Sequence, residues 1–311
     1  MKYKRLLIIS HNAFGKANNM GRTLEATFSG WKKEHIAQLY FSDELAESKV
    51  CSNFYKVSDA DVLKSVFSRK SHGHMVYCAS AAKNSAIPPK VNTVMTVITK
   101  IARYRTPLIC CIRNLMWKIG IWDSADLQKW LDEFNPEIAF FASGEYAFSY
   151  NVALKIAADR KIPLVIGCYD DFYIGATKTA NPIYWLNRNI LLSAAKRTFQ
   201  YALCFTGVCD KMTADYEKLF NRKGHTLFNS TELCEKAVKV EPRIVYAGNL
   251  GYGRAEQLMT IGRVLLMISS PNIPKYIDVY SAETRQNITD KLNEQNGIHF
   301  HGKIPPEEVA L

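Results

Sequence analysis

The chain has 311 residues, of which 48% are hydrophobic and 22% charged, a composition that excludes a disordered or fibrous protein. At about 100 to 200 residues per domain, this length favours two domains. Lys and Arg number 40 against 29 Asp and Glu, so the formal net charge is +11.

The elements predicted for the first part alternate short apolar runs with helical patterns, as in a parallel sheet covered by helices. The predicted strands are 6–10, 36–41, 137–142, 163–168, 202–206 and 224–228, and the predicted helices are 21–33, 124–134, 146–160, 182–199 and 209–221. We therefore expect a doubly wound, Rossmann-like domain over residues 1–232.

A short polar stretch, 233–242, is the predicted hinge, and a second α/β pattern fills 243–311. Its predicted strands are 243–247, 276–280 and 298–301, and its predicted helices are 254–268 and 282–294. Three strands are few for a doubly wound domain, so the second domain is expected to be incomplete and the chain to be truncated at its C-terminus.

The positive charge is concentrated in the first part of the chain. Residues 241–311 contain seven basic and eight acidic residues, which leaves 33 basic and 21 acidic residues, or +12, for residues 1–240. Between Asp61 and Asp123 there is no acidic residue and there are ten basic ones. The eight cysteines form no CxxC pair, and no signal peptide or long apolar stretch is present, which favours a cytoplasmic protein.

Two glycine-containing turns follow predicted strands and precede predicted helices, where phosphate groups often bind. After the first strand come His11 and Asn12, and the next helix starts at Gly21 and Arg22. The second turn contains Gly248, Asn249, Gly251, Gly253 and Arg254. Neither turn has the dinucleotide or P-loop spacing, and each could also be an ordinary loop.

A third candidate site is the polar turn Tyr169, Asp170 and Asp171, directly after a predicted strand. Its two carboxylates suit the positioning of sugar hydroxyls or the transfer of a proton. The alternative is that an aspartate caps the following helix. No metal ligands occur at a recognisable spacing, and no metal site is predicted.

The stretch 91–122 mixes aliphatic residues with basic ones and tryptophan, a pattern typical of a helix lying on an anionic membrane. The residues predicted to face the membrane are Lys100, Arg103, Arg105, Arg113, Trp117 and Lys118. A pair of core-packed helices with basic outer faces is the alternative. No nucleic-acid recognition motif is present, and no nucleic-acid partner is expected.

Taken together, these segments resemble the retaining glycosyltransferases of the GT-B architecture, particularly glycosyltransferase family 4 of bacterial polysaccharide synthesis. Two Rossmann-like domains face each other across a cleft in that architecture. The resemblance rests on MGRT at 20–23, IGCYDDFY at 166–173, FTGVCDKMTADY at 205–216, FNS at 228–230, IVYAGNLGYGR at 244–254 and IHFHGKIPPEEV at 298–309.

The resemblance implies a nucleotide-diphosphate-sugar donor, held mainly by the second domain, and a lipid-linked or polysaccharide acceptor on the first. It implies no cofactor and no obligatory metal. Gly21, Arg22 and the turn from Gly248 to Arg254 would hold the donor diphosphate, His11, Asn12 and Tyr169 would face the acceptor, and Asp170 and Asp171 would be catalytic. The enzyme would lie in the cytoplasm, peripherally on the inner face of the membrane.

The sequence departs from this family at three places. Asn249 replaces the usual Arg, Arg254 replaces the usual Lys, and Tyr169-Asp170-Asp171 stands where a His-Asp pair is common. The family's Glu-x7-Glu segment would lie beyond Leu311, so the chain as it stands is expected to be inactive, unlike its full-length parent. Two alternatives remain: a GT-B nucleotide-sugar epimerase, and a non-catalytic module that binds anionic lipid or polysaccharide.

Overall fold

The computed structural model describes residues 3–15, 18–76, 106–228 and 243–305. The chain divides into two compact units, Met1–Thr231 and Glu232–Leu311. The hinge predicted at 233–242 lies outside the described residues. Of the helices in the described ranges, none combines the length and the apolar character that a membrane span needs.

Unit 1 is built on one sheet of eight strands. They are β1 (Leu6–Ser10), β2 (Ile36–Tyr40), β3 (Asn53–Lys56), β4 (His74–Val76), β5 (Ile138–Ala142), β6 (Leu164–Cys168), β7 (Cys204–Gly207) and β8 (Gly224–Thr226). Their order in the sheet is β4-β3-β2-β1-β5-β6-β7-β8. All neighbours pair in parallel except β3 and β4, which pair antiparallel.

Seven helices are described in unit 1. They are α1 (Asn19–Thr27), α2 (Asp59–Ser68), α3 (Pro107–Ile119), α4 (Ala125–Phe134), α5 (Ala147–Asp159), α6 (Pro182–Tyr201) and α7 (Asp210–Phe220). The strand and helix predictions for this unit are confirmed, with ends that differ by a few residues. The elements β3, α2 and β4 were not predicted.

Both faces of the central strands are buried, because side chains that alternate along β1 enter two different apolar clusters. Leu7 and Ile9 pack with Trp130 of α4 on one face, whereas Leu6 and Ile8 pack with Leu24 of α1 on the other. A parallel sheet covered on both faces needs continuous apolar strands, which is why β1 reads LLIIS. This sandwich fixes the positions of the loops at the carboxyl ends of the strands.

Unit 2 contains a parallel three-stranded sheet in the order β11-β10-β9. Its strands are β9 (Ile244–Ala247), β10 (Ile277–Tyr280) and β11 (Ile298–Gly302), and its helices are α8 (Arg254–Met267) and α9 (Gln286–Asn293). Leu258, Ile277 and Val279 form part of an apolar cluster between the sheet and these helices. The predicted α/β pattern of residues 243–305 is therefore confirmed.

Candidate functional site

The strand order of unit 1 places a topological switch point between β1 and β5. The chain moves from β1 outward through β2 and β3 on one side, and from β5 through β6 and β7 on the other. In open α/β sheets, ligands bind beyond the carboxyl ends of the two strands at such a point. His11 and Asn12 follow β1 there, and Tyr146 comes shortly after β5.

Side chains from three segments meet at this switch point. The rings of His11 and Tyr146 lie 5.1 Å apart between centroids. The guanidinium carbon of Arg113 lies 4.1 Å from the centroid of the Tyr146 ring, close enough for a cation–π interaction. His11, predicted to face the acceptor, and Arg113, which the sequence had assigned to another surface, thus contact the same tyrosine.

Arg113 belongs to the interior of unit 1. Its side chain is 12% exposed and forms an ion pair with Asp59, whose side chain is 17% exposed. Burial acts to lower the pKa of Arg113, but the hydrogen bond and charge of Asp59 raise it above its ordinary value, so the guanidinium stays charged. Trp117 is 2% exposed and donates from Nε1 to the same carboxylate at 2.7 Å.

The membrane-surface positions predicted for Arg113 and Trp117 are therefore wrong. The physical reason is Asp59, which lies on α2 and offers a buried carboxylate to both side chains. Lys118 is exposed, and its predicted membrane-surface position stays a prediction. Lys100, Arg103 and Arg105 lie outside the described residues.

A buried glutamine organises the loop after β1. Gln38, on β2, is fully buried, and its Nε2 donates to Ser10 Oγ at 2.8 Å and to the carbonyl of Asn12 at 3.1 Å. Its Oε1 accepts the backbone N–H of Phe14 at 2.9 Å. Because a buried amide without partners is costly, these bonds hold residues 10–14 in one conformation. The backbone on both sides of His11 is consequently fixed.

A second polar group surrounds the start of α1. The carboxylate of Glu44 accepts hydrogen bonds from Asn18 Nδ2 at 2.7 Å, Ser42 Oγ at 3.2 Å and, more weakly, Asn12 Nδ2 at 3.4 Å. Asn18 Oδ1 in turn accepts the backbone N–H of Gly21 at 2.6 Å and caps the helix. Asn12 therefore belongs to a network of side chains between the loops after β1 and β2.

Gly21 is required where two pieces of backbone touch. A Cβ at this position would lie 2.5 Å from the carbonyl oxygen of Ala13 and 2.7 Å from that of Gly15. The N–H that the sequence suggested for a phosphate is used by Asn18. Gly21 thus acts through close packing of α1 on the loop, and Arg22, next to it, is exposed.

The turn after β6 contains the predicted acidic pair. The Asp171 carboxylate accepts the backbone N–H groups of Tyr173 and Ile174 at 3.0 Å and of Gly175 at 2.9 Å. It also accepts the Tyr216 hydroxyl at 2.9 Å. This bonding gives Asp171 a structural role in the turn, Asp170 and Asp171 are both exposed, and the catalytic role of the two carboxylates stays a prediction.

The environment of this turn shifts two pKa values. Desolvation acts to raise the pKa of Asp171, but the hydrogen bonds from the backbone and from Tyr216 lower it below its ordinary value. The carboxylate is therefore the stable form. The neighbouring Tyr169 packs against the apolar cluster around α1, and burial raises its pKa to about 12. Its phenol is thus neutral at ordinary pH.

In unit 2 the glycine-rich turn connects β9 to α8. Asn249 Oδ1 accepts the backbone N–H of Gly251 at 2.6 Å, and its carbonyl accepts the Tyr246 hydroxyl at 2.6 Å. Two residues in the left-handed region, Tyr252 at φ 58° and Gly253 at φ 76°, then lead into the helix. Gly248 is anchored to the neighbouring strand, because its N–H donates to the carbonyl of Tyr280 at 3.0 Å.

Arg254 is the first residue of α8, and its side chain is exposed. Its guanidinium lies 5.7 Å from the ring centroid of Tyr252, which is itself 94% exposed. The N-terminal end of a helix and an exposed arginine both favour an anion at this place. In the part of the chain that the structure describes, no group of three or more His, Cys, Asp or Glu is arranged to hold a metal ion.

Four residues of unit 1 that shape the site were missed by sequence reasoning: Gln38, Glu44, Asp59 and Tyr146. Asp59 and Asp61 follow Ser58, and the resulting capping box was a readable signal for the start of α2. Tyr146 was named as the start of a helix, without a role. Gln38 and Glu44 carry no signal that separates them from other polar residues.

No protein-family model matches the sequence, and no curated protein matches it either. Solved structures do. The sucrose-phosphate synthase of Thermosynechococcus elongatus is similar over 98% of this chain and 72% of its own, with a TM-score of 0.53 and 12% identity. Anabaena HepE, solved in complex with UDP and glucose, covers 97% of this chain and 70% of its own, with a TM-score of 0.48 and 9% identity.

The first of these similarities decides the fold. The chain has the α/β fold of the GT-B glycosyltransferases, as the sequence predicted. Because a fold can serve many activities, the similarity leaves the reaction to be argued from the site.

Proposed function

We propose that the protein is a glycosyltransferase that moves a sugar from a nucleotide-diphosphate-sugar donor to a lipid-linked or polysaccharide acceptor. The observation that carries the proposal is the exposed Arg254 at the N-terminus of α8, directly after the glycine-containing turn, in a chain with the GT-B fold. The polar loops at the carboxyl ends of β1, β5 and β9 support it, because they lie where ligands of α/β folds bind.

The proposed donor site is the turn from Gly248 to Arg254. When the bond between the sugar's anomeric carbon and the diphosphate breaks, the electron pair stays with the diphosphate oxygen and negative charge develops there. Arg254 and the N-terminus of α8 stabilise this charge. The exposed ring of Tyr252 offers a face on which a base or sugar can stack. The nucleotide-sugar is a substrate, and no cofactor or obligatory metal takes part.

The proposed acceptor site is the switch point of unit 1. His11 and Tyr146 present rings against which an acceptor can pack, and Asn12 provides a polar group beside them. Asp170 is exposed and is the proposed carboxylate for an acceptor hydroxyl, because the carboxylate of Asp171, also exposed, accepts the backbone N–H groups of its own turn. The acceptor oxygen forms the new bond to the anomeric carbon while its proton passes to the departing diphosphate oxygen, and the anomeric configuration is retained, as in the family 4 enzymes.

The proposed cellular setting is the cytoplasmic face of the membrane. Residues 1–240 have 33 basic and 21 acidic residues, and this excess favours an anionic surface. An acceptor anchored in that membrane by a lipid would be held close to unit 1.

Titration calorimetry with UDP, GDP and ADP tests the donor half of this proposal. We expect one of them to bind, and Arg254→Ala to weaken binding about tenfold or more, because a charged hydrogen bond to phosphate contributes about 1.5–3 kcal/mol. Arg263→Ala is the matched control, since Arg263 is an exposed arginine of the same helix. Absence of binding by all three nucleotides, or equal binding by Arg254→Ala, would contradict the donor site.

A further inference from the structure

Helix α3 exposes its apolar side chains. Leu108 is 53% exposed, Ile112 57%, Leu115 58% and Ile119 57%. These positions are separated by four, three and four residues, so they form one continuous stripe along the helix. A helix on the surface of a globular unit normally turns its apolar side chains to the interior and its polar side chains to solvent.

The inward face of α3 is held by specific bonds that prevent the helix from turning its stripe inside. Arg113 pairs with Asp59, and Trp117 stacks on Phe148 with ring centroids 4.0 Å apart. Asn114 accepts the backbone N–H of Phe148 at 3.1 Å. A rotation that buried the apolar stripe would break the buried ion pair, so the exposure of the stripe is fixed by the fold.

Helix α6 packs beside α3 and also exposes apolar side chains. Trp185 is 40% exposed and Leu186 55%. We call the six exposed side chains the α3–α6 face: Leu108, Ile112, Leu115, Ile119, Trp185 and Leu186. A continuous exposed apolar stripe such as the one on α3 marks an interaction site.

The charges of these two helices are all of one sign. The sequence has no acidic residue between Asp61 and Asp123, where α3 lies, and none between Asp171 and Asp210, where α6 lies. Lys118 on α3 and Lys196 on α6 are exposed. The occupant of the face must therefore be apolar in its interior and negatively charged at its boundary.

We propose that the α3–α6 face docks the protein on an anionic lipid bilayer. This inference rests on the proposed membrane association and assigns it a surface. The aliphatic stripe enters the boundary between headgroups and acyl chains, and Lys118 and Lys196 meet the anionic headgroups. Two copies of the chain joined through this face would place like charges opposite each other, which disfavours a dimer.

Vesicle co-sedimentation tests the surface, with phosphatidylcholine alone and with added phosphatidylglycerol. The wild type should bind the anionic vesicles more tightly than the neutral ones. Ile112→Ser/Leu115→Ser should lose about tenfold or more in affinity, because it removes half of the stripe. The matched control is Ile261→Ser/Val264→Ser, which changes side chains that are 46% and 49% exposed on α8 of unit 2. Circular dichroism and thermal unfolding should show that both variants remain folded.

Two further measurements separate the possible failures. Unchanged vesicle binding by Ile112→Ser/Leu115→Ser would overturn the docking surface, as would a wild-type dimer in sedimentation equilibrium that this variant abolishes. Nucleotide titration of the same variant should give the wild-type affinity. Vesicle binding without any nucleotide binding would contradict the proposed glycosyltransferase activity and support the docking surface. Nucleotide binding without vesicle binding would contradict the docking surface and support the proposed activity.

Discussion

The guanidinium of Arg113 lies over the ring of Tyr146, 4.1 Å from its centroid. Arg113 is on the inner face of α3, opposite the stripe that we propose docks on lipid, and Tyr146 is at the switch point of the sheet. One helix therefore connects the proposed docking surface to the proposed acceptor site. The ion pair with Asp59 keeps that connection in place.

The first prediction concerns this ion pair. Arg113→Met should lower the free energy of unfolding by about 3–5 kcal/mol, because it leaves the largely buried Asp59 carboxylate without its partner. Asp59→Asn should also lower the free energy of unfolding, because Arg113 then loses its counter-charge. The double variant should cost about 1–3 kcal/mol less than the sum of the two single variants. Urea unfolding followed by tryptophan fluorescence measures all three.

Lys118→Met, on the exposed side of the same helix, is the control for this cycle and should change stability by about 0.5 kcal/mol or less. Strict additivity of the two single variants would show that the ion pair contributes nothing.

The second prediction concerns the approach of α1 to the loop after β1. Gly21→Ala should lower the free energy of unfolding by about 1–3 kcal/mol. The new Cβ would lie 2.5 Å from the carbonyl oxygen of Ala13, so α1 and the loop after β1 must move apart. Gly30→Ala is the control, since a Cβ there meets nothing within 4 Å. Thermal unfolding compares the two. A smaller loss for Gly21→Ala than for Gly30→Ala would contradict the tight packing.

The strands and the order of the elements could be predicted from the sequence because continuous apolar runs have few alternatives in a parallel sheet. LLIIS and LVIGC were assigned almost to the residue. The short strands β3 and β4 have four and three residues, too few for a clear pattern, and β4 is half exposed. Sequence periodicity was therefore sufficient for the core and insufficient for the edge of the sheet.

The orientation of α3 could not be predicted. Its pattern fits a helix with either face inward, and the choice depends on Asp59, which is 58 residues away from Trp117 in the chain. Asp171 shows the same limitation, because its role depends on backbone N–H groups and on Tyr216 in another helix. Tertiary partners of this kind decided which predicted site residues are structural.

The third prediction concerns pH and the turn after β6. The folded pKa of Asp171 lies below its ordinary value, so the turn is stabilised above the unfolded pKa of about 3.9 and loses this stabilisation as the pH falls through the lower folded pKa. The backbone amide shifts of Ile174 and Gly175 should titrate in that acidic range. Asp171→Asn should remove the titration, and Asp170→Asn should preserve it. A wild-type titration of these amides at or above the ordinary Asp pKa of about 3.9 would contradict the hydrogen bonds.

The fourth prediction concerns Asp278, the charged residue on β10. Its side chain is 3% exposed and accepts hydrogen bonds from Arg243 at 2.9 Å and His301 at 2.6 Å. Desolvation acts to raise its pKa, but these two partners lower it below its ordinary value. Unit 2 should therefore keep this stabilisation above the unfolded pKa of about 3.9 and lose it as the pH falls through the folded value.

Asp278→Asn should test the same bonds at neutral pH. We expect a loss of about 1–3 kcal/mol in the free energy of unfolding, because a neutral amide replaces a carboxylate that accepts hydrogen bonds from Arg243 and His301, and both partners are partly exposed and can turn to water. Hydrogen exchange of the β10 amides measures it, with Asp290→Asn on the exposed side of α9 as the control. Equal protection of the β10 amides in both variants would show that the Asp278 charge does not stabilise unit 2 through Arg243 and His301.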